Sequence, residues 1–329
     1  MTKPRKQLID ADTTPFYHIV SRCVRRSFLC GIDTQGNNFE HRRQWIEDKI
    51  LALPHIFAIH VCAYAVMSNH YHLILEIDAA QAETWTTEDV IQRWHLLFKG
   101  NLFSQRFLRG DQLASAEREA LDSCVAVWRS RLANISWFMR QINEPIARDA
   151  NSEDNCTGRF WEGRFKSQAL LDEKALAACM VYVDLNPVRA KIAKTPEQSD
   201  YTSAKRRITK AKIAHNPNHK QQQPKSLRPF VGNPKQDIPA GLPFKLADYL
   251  DLLDWTGKQM HSNKRDAIVA ETPPILTRLD IDPKHWLYSA TQFESRFKGL
   301  VGGVYKLKQA CQKLGYQRTP GLGSCRLLS

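Results

Sequence analysis

Nowhere in these 329 residues do apolar side chains run uninterrupted for the roughly 18 positions that a membrane-spanning helix needs. The opening MTKPRKQLIDADTTPFYHIV also lacks the apolar centre of a secretory signal, so the expected location is the cytoplasm. Paired cysteines are missing as well. The eight cysteines (23, 30, 62, 124, 156, 179, 311 and 325) contain no C-x-x-C and no zinc-ribbon spacing. That excludes a disulfide-stapled mini-protein and a thiolate zinc module, and leaves most of these thiols as small core hydrophobes. There is no helicase-type P-loop and no internal repeat. Acidic residues are in deficit. Against 47 Lys and Arg stand 34 Asp and Glu, a formal net charge of +13 with a pI near 9.4. Such a balance points first to nucleic acid as a partner and second to an anionic membrane surface.

At about 150 residues per domain, the length allows more than one unit. FYHIVSRCVRR reads as a first strand, with Tyr17 and Ile19 on one face and His18, Val20 and Arg22 on the other. FEHRRQWIEDKILAL has helical spacing. HIFAIHVCAYAV and HYHLILEI are two strands joined by Met67-Ser68-Asn69, short enough for an antiparallel hairpin. Helical patterns follow at about 88–108 and 114–148. GRFWEGRFKSQALL then enters a fourth strand, and DEKALAACMVYVDL is a helix stopped by Asn186-Pro187. Strand, helix, two strands, helices, strand, helix is the split βαβ order, so the expected class is α+β with an antiparallel ferredoxin-like sheet. The expected organisation is a main unit over 1–200 with a helical insertion at about 80–130, a basic linker over 201–240, and a helical C-terminal unit over 241–329. Tyr201 to Lys235 carries nine Lys or Arg and no Asp or Glu. Such a stretch is either a solvated connection or a segment that lies along a phosphate backbone.

Within the hairpin, Tyr71, Leu73, Leu75 and Ile77 face one way and His70, His72, Ile74 and Glu76 the other. Two imidazoles thus stand side by side with Cα atoms roughly 6–7 Å apart, from which both can lean onto one ion. The alternative is a pair satisfied by hydrogen bonds or exposed to water. On the helix over 173–185, Leu176, Cys179, Met180 and Val183 form the apolar stripe, and Tyr182 sits at its flank, about 120° from Leu176 at roughly 100° per residue. As a packing residue it would keep its hydroxyl in water.

MSNHYHLILEID, followed about a hundred residues on by GRFWEGRFKSQALL and YVDLNPVRA, resembles the HUH single-strand transposases, in particular the tyrosine transposases associated with repetitive extragenic palindromes (REP). The HUH motif of histidine, hydrophobic residue, histidine matches His70, Tyr71 and His72. The family's catalytic tyrosine, four residues before the Asn of an Asn-Pro-Val turn, matches Tyr182, and Asn186 matches a third metal ligand. YHIVSRCVRR from Tyr17 resembles the opening strand, with Cys23 where glycine is usual. The likeness covers roughly Thr13 to Tyr201, with a looser one of DYLDLLDWTGKQM to C-terminal extensions. It implies metal-dependent cleavage and rejoining of single-stranded, hairpin-forming DNA, in which the Tyr182 hydroxyl attacks phosphorus to leave a 5′-phosphotyrosine and a free 3′-OH. A phenol with an ordinary pKa of about 10 and an anionic phosphate both need an electrophile nearby. Mg²⁺ or Mn²⁺ held by His70, His72 and Asn186 would supply it, imidazoles suiting Mn²⁺ better.

Arg22, Arg25, Arg26, Arg159, Arg164 and Lys166 flank this set in sequence and are candidate phosphate contacts, each alternatively a solvated charge. Trp161 either stacks on an unpaired base or packs in the core. Glu76 is either an outer orienter of the ligand set or a surface carboxylate. Two other functions compete: a palindrome-binding repressor of DNA or RNA that does not cut, against which the intact His70, His72, Tyr182 and Asn186 argue, and a relaxase or replication initiator, against which the YVDLNPVRA context argues.

Overall fold

A strand covered on both faces must lie between two layers, and the central strands are buried along nearly their whole length. The computed structural model describes residues 9–24, 29–32, 36–232, 241–261 and 272–329. Its strands are β1 (Phe16–Arg22), β2 (Ile59–Val66), β3 (His70–Ile77), β4 (Lys166–Leu170) and β5 (Leu300–Val301). Helix α1 (His41–Ala52) connects β1 to β2. Between β3 and β4 come α2 (Ala79–Thr84), α3 (Thr87–His95), α4 (Leu102–Leu108), α5 (Ser115–Leu132) and α6 (Ile135–Glu153). After β4 follow α7 (Glu173–Asp184), α8 (Asn186–Arg189) and α9 (Ser203–Ile213). The C-terminal part holds α10 (Leu246–His261), α11 (Pro274–Leu279), α12 (Pro283–Arg296), then α13 (Val304–Lys313) and α14 (Leu322–Cys325) beyond β5. None of the helices in the described residues is long and apolar enough to cross a membrane.

The protein is α+β, with one five-stranded sheet among the described residues, in the order β2-β3-β1-β4-β5. β1 pairs antiparallel with β3 and β4, and β2 with β3. The sheet is nevertheless mixed rather than wholly antiparallel, because β5 joins β4 in parallel. That strand comes from the far end of the chain, where nothing in the local pattern of Leu300 and Val301 marks its partner.

One face of the sheet meets α1 and α6. There Tyr71 donates its hydroxyl to Asn143 Oδ1 at 2.6 Å, and Ser21 donates to the same oxygen at 3.2 Å. The other face meets α7. The helix starts at Asp172, whose carboxylate accepts from the Ala175 N–H at 2.9 Å. It stops at Asp184, with Leu185 out of helical geometry, and Asn186 and Pro187 then open the short α8, a position at which proline's missing N–H costs nothing. The expected single apolar stripe is exceeded: every residue from Ala175 to Asp184 is buried. The sheet covers one side and α10 and α12 cover the other.

The helical pattern at 88–108 is interrupted at Gly100, whose φ of +69° suits glycine and where a Cβ would strike the His95 ring. Asn101 then caps α4, accepting from the Ser104 N–H at 2.9 Å. The stretch read as a basic linker contains α9, which is pinned to β2: Arg207 is fully buried and donates to the Cys62 carbonyl at 2.8 Å. Its neighbour Arg206 pairs with Glu47 at 2.8 Å, and Arg228 pairs with Glu76 at 2.7 Å. Three basic residues of that stretch therefore neutralise or satisfy groups of this chain. The end of α7 is held the same way, by the buried Asp184 carboxylate, which accepts from the Ala204 N–H at 3.0 Å, from Ser203, and from the Tyr249 hydroxyl at 2.6 Å.

Candidate active site

The pairing of β1 with β3 sets Arg22 opposite His70 and Val20 opposite His72, so these side chains share the face toward α7. His18, two residues before Val20 on that face, reaches diagonally to His72: its Nε2 lies 2.9 Å from His72 Nδ1. The rings of His70 and His72 are 4.8 Å apart, edge to face, and those of His18 and His72 are stacked at 5.2 Å. Three imidazoles therefore form one cluster. Helix α7 lays Tyr182 across it, with its ring 5.7 Å from His72 and 6.2 Å from His18, both edge-on.

The C-terminal part closes the other side. Phe293 of α12 sits 5.9 Å from both Tyr182 and His18. Next to it, Glu294 accepts a long hydrogen bond of 3.4 Å from the Tyr182 hydroxyl and stands 3.8 Å from the Arg22 guanidinium. Arg189, from α8, stacks its guanidinium 3.9 Å over the Tyr182 ring and donates to the Tyr182 carbonyl at 3.2 Å. Tyr182 is only 6% exposed.

Burial governs the charges here. It holds His18 and His72 below the ordinary histidine range, and it pushes His70 down to about 4 with the nearby Arg22 charge adding to the effect. All three imidazoles are neutral at pH 7. Burial also raises the Tyr182 phenol, to about 12, against the lowering pull of Arg189. A phenol in that state does not ionise unaided.

The cluster has unmet hydrogen-bonding capacity. His72 Nε2 and Asn186 Nδ2 are buried without a partner. His70 Nδ1 is bonded to Asn69 Oδ1, which makes Nδ1 the donor and leaves Nε2 its lone pair. Among the described residues no three His, Cys, Asp or Glu side chains form a metal-binding group. The set is instead two neutral imidazoles, each with a bare Nε2, and an amide at the start of α8. Neutral imidazole is the ligating form, so the bare Nε2 atoms of His70 and His72 fit a divalent cation, whereas the unpartnered atom of Asn186 is an N–H donor and only its Oδ1 could ligate.

The other candidates separate clearly. Arg22 is at the site. Arg159 and Arg164 are exposed on the approach to β4, while Lys166, its exposed first residue, lies opposite Val20 and so shares the face of the histidine cluster. Arg25 and Arg26 lie outside the described residues. Trp161 is 8% exposed, its ring against Tyr71 and Phe160 and its indole N–H on the Asn143 carbonyl at 2.8 Å, so it packs on the opposite face of the sheet. Glu76 is neither a ligand orienter nor a surface group, but one half of the buried pair with Arg228.

Sequence reasoning missed His18, Arg189, Gln168 and Glu294. His18 was legible as sharing a face with Arg22, but only the strand register makes it a neighbour of His72. Arg189 follows Tyr182 by seven residues, but the helix breaks at Leu185 between them, so the stacking depends on the turn from α7 into α8. Glu294 carries no sequence signal toward Tyr182, because the two come from distant parts of the chain.

No family profile matches the chain, and no curated protein does. Among solved structures the chain is similar to a REP-associated tyrosine transposase bound to a REP hairpin, at 14% identity and a TM-score of 0.36, over 73% of this chain and 97% of that one. A likeness so slight carries no argument here.

Proposed function

We infer that the protein is a metal-dependent HUH-type transposase that cleaves and rejoins single-stranded, hairpin-forming DNA of palindromic REP type in the cytoplasm. Tyr182 is the nucleophile in this reading, and β1 to β4 are its ferredoxin-like core. The observation that carries it is the placement of Tyr182, from helix α7, edge-on against His72, from the much earlier strand β3, while the buried Nε2 of that histidine has no partner in the fold.

The residues divide the work. The Tyr182 oxygen attacks phosphorus, the P–O3′ bond breaks, and the departing 3′ oxygen takes a proton from water to become the hydroxyl; the bond energy is kept in the phosphotyrosine for rejoining. Glu294 is in place to receive the phenolic proton. Arg189, stacked on the ring, stabilises the phenolate as it forms, and Arg22 offers a cation to the phosphate. His70, His72 and Asn186 would hold a divalent cation, Mg²⁺ or Mn²⁺, which when bound supplies a positive charge to the scissile phosphate. Arg159, Arg164 and Lys166 would meet the incoming backbone.

One observation favours a second reading, a palindrome-binding repressor that does not cut: Tyr182 lies under Phe293 rather than open to solvent. A covalent-adduct assay separates the two. Labelled single strands carrying palindromes are incubated with Mn²⁺, Mg²⁺ or EDTA and resolved on a denaturing gel beside Tyr182→Phe. The transposase reading requires a metal-dependent band that the variant lacks. Tight hairpin binding without any adduct gives the repressor the lead.

A further inference from the structure

Three groups outside the proposed donor set form a hydrogen-bonded line into it. Gln168, on β4, donates its Nε2–H to the carbonyl of Phe297, the residue that ends α12, at 2.8 Å. That contact fixes which end of the amide faces inward, because the reversed amide would set two carbonyl oxygens against each other. Gln168 Oε1 accordingly lies 2.7 Å from His18 Nδ1. An amide oxygen only accepts, so His18 Nδ1 carries the hydrogen and the Nε2 of the neutral ring is bare. That bare nitrogen is the one 2.9 Å from His72, so His72 Nδ1 in turn carries a hydrogen and donates it. What remains at the end of the line is His72 Nε2, buried and without a partner.

We propose that Gln168 and His18 are positioning residues which, starting from the Phe297 carbonyl, lock His72 in its Nδ1–H tautomer and aim its Nε2 lone pair at the cation-binding position. The use of the lone pair rests on the proposed function; the tautomer does not. A line of this kind is what orients a ligating imidazole, since the hydrogen bond on one ring nitrogen decides which form the other takes. Free histidine in water favours the opposite tautomer, so the arrangement at His72 is imposed by its neighbours. The line also gives the C-terminal part a role in the site beyond covering it: its first acceptor is Phe297, which lies between α12 and β5, the strand that pairs with β4.

The test begins without metal. In ¹⁵N-histidine-labelled protein at neutral pH, long-range ¹H–¹⁵N correlations are expected to give the Nδ1–H pattern for both His18 and His72, assigned with His72→Gln. Removing the His18 ring would empty a fully buried site and risk the fold, so the line is cut at the half-buried Gln168 instead. Gln168→Ala is expected to release His72 into a mixture of tautomers and to weaken Mn²⁺ binding, read by electron paramagnetic resonance titration, by roughly 10- to 100-fold. Gln168→Met, which fills the same space without an acceptor for His18 Nδ1, is expected to release the tautomer and weaken Mn²⁺ binding as Gln168→Ala does, which separates loss of the hydrogen bond from loss of volume. An Nε2–H pattern for His72 in the wild type overturns the proposal, and so does Gln168→Ala leaving both tautomer and affinity unchanged. Should the tautomers behave as stated while the wild type binds no Mn²⁺, the positioning line stands and the cation part of the proposed function falls.

Discussion

Strand β3 buries polar groups in two opposite ways within eight residues. Near its end, Glu76 meets Arg228 through contacts of 2.7 and 2.9 Å, while the adjoining Asp78 accepts from His60 at 3.1 Å. Charge answers charge there. At its start, His70 and His72 have no ion-pair partner among the described residues, although the Glu294 carboxylate is near enough to act on His70, and His72 Nε2 has no hydrogen-bond partner. Both ends are buried, so exposure does not distinguish them. A counter-charge does: at the filled end Arg228 answers Glu76, although Glu76 Oε2 and Arg228 Nε meet without an aligned hydrogen bond, and this pair holds the segment after α9 to the sheet, while the open end, which has no such pair, is where a ligand would be needed.

The largest expected effect comes from breaking the filled end. Arg228→Met leaves Glu76 buried without its cation, and removal of one partner from such a pair costs about 3–5 kcal/mol. Urea unfolding should register that loss while Mn²⁺ binding to the folded variant is unchanged. A loss under about 1 kcal/mol would mean that the two ends of β3 do not differ as described.

The open end should declare itself through pH. His70 is held at about 4 against an ordinary value of 6.5. Between those values the unfolded chain binds a proton that the folded chain refuses, so stability falls as pH drops from about 6.5 toward 4. The slope is at most about 1.4 kcal/mol per pH unit for each such histidine, and above about 6.5 the group contributes no dependence. His18 and His72, lowered in the same direction by burial, steepen the fall. His70→Gln should flatten the curve over that window and leave it unaltered above pH 7. Identical curves for variant and wild type would remove the neutral cluster from the account.

How much of this was legible in the sequence depended on range. The hairpin, the position of Tyr71 in the core and the stop of α7 before Pro187 were readable because alternation and proline act locally. The pairing of His70 with His72 was readable for the same reason. His18 was not, because a diagonal contact depends on the register of two strands that are well separated in the chain. The basic stretch after Tyr201 was misleading: its composition is that of a solvated segment, but Glu47 and Glu76, both on earlier elements, turn Arg206 and Arg228 inward. Tyr182 reads as a flank residue because the helix pattern alone cannot contain α12, which covers that flank from the far C-terminal part of the chain.

The smallest expected effect is the sharpest discriminator. Tyr182→Phe deletes one oxygen whose hydrogen bond among the described residues is the 3.4 Å contact with Glu294, near the outer limit of a useful hydrogen bond. The ring keeps Phe293, His72 and Arg189 against it. Unfolding free energy should therefore move by no more than about 0.5 kcal/mol, in contrast to Arg228→Met. A structural hydroxyl with a good buried partner would cost about 1–3 kcal/mol when its partner is left unsatisfied. If the change proves that large, Tyr182 belongs with Glu76 among the groups that hold the fold together. If stability is untouched while the DNA adduct is lost, the hydroxyl is present for chemistry, and the open end of β3 is the side of the sheet on which that chemistry occurs.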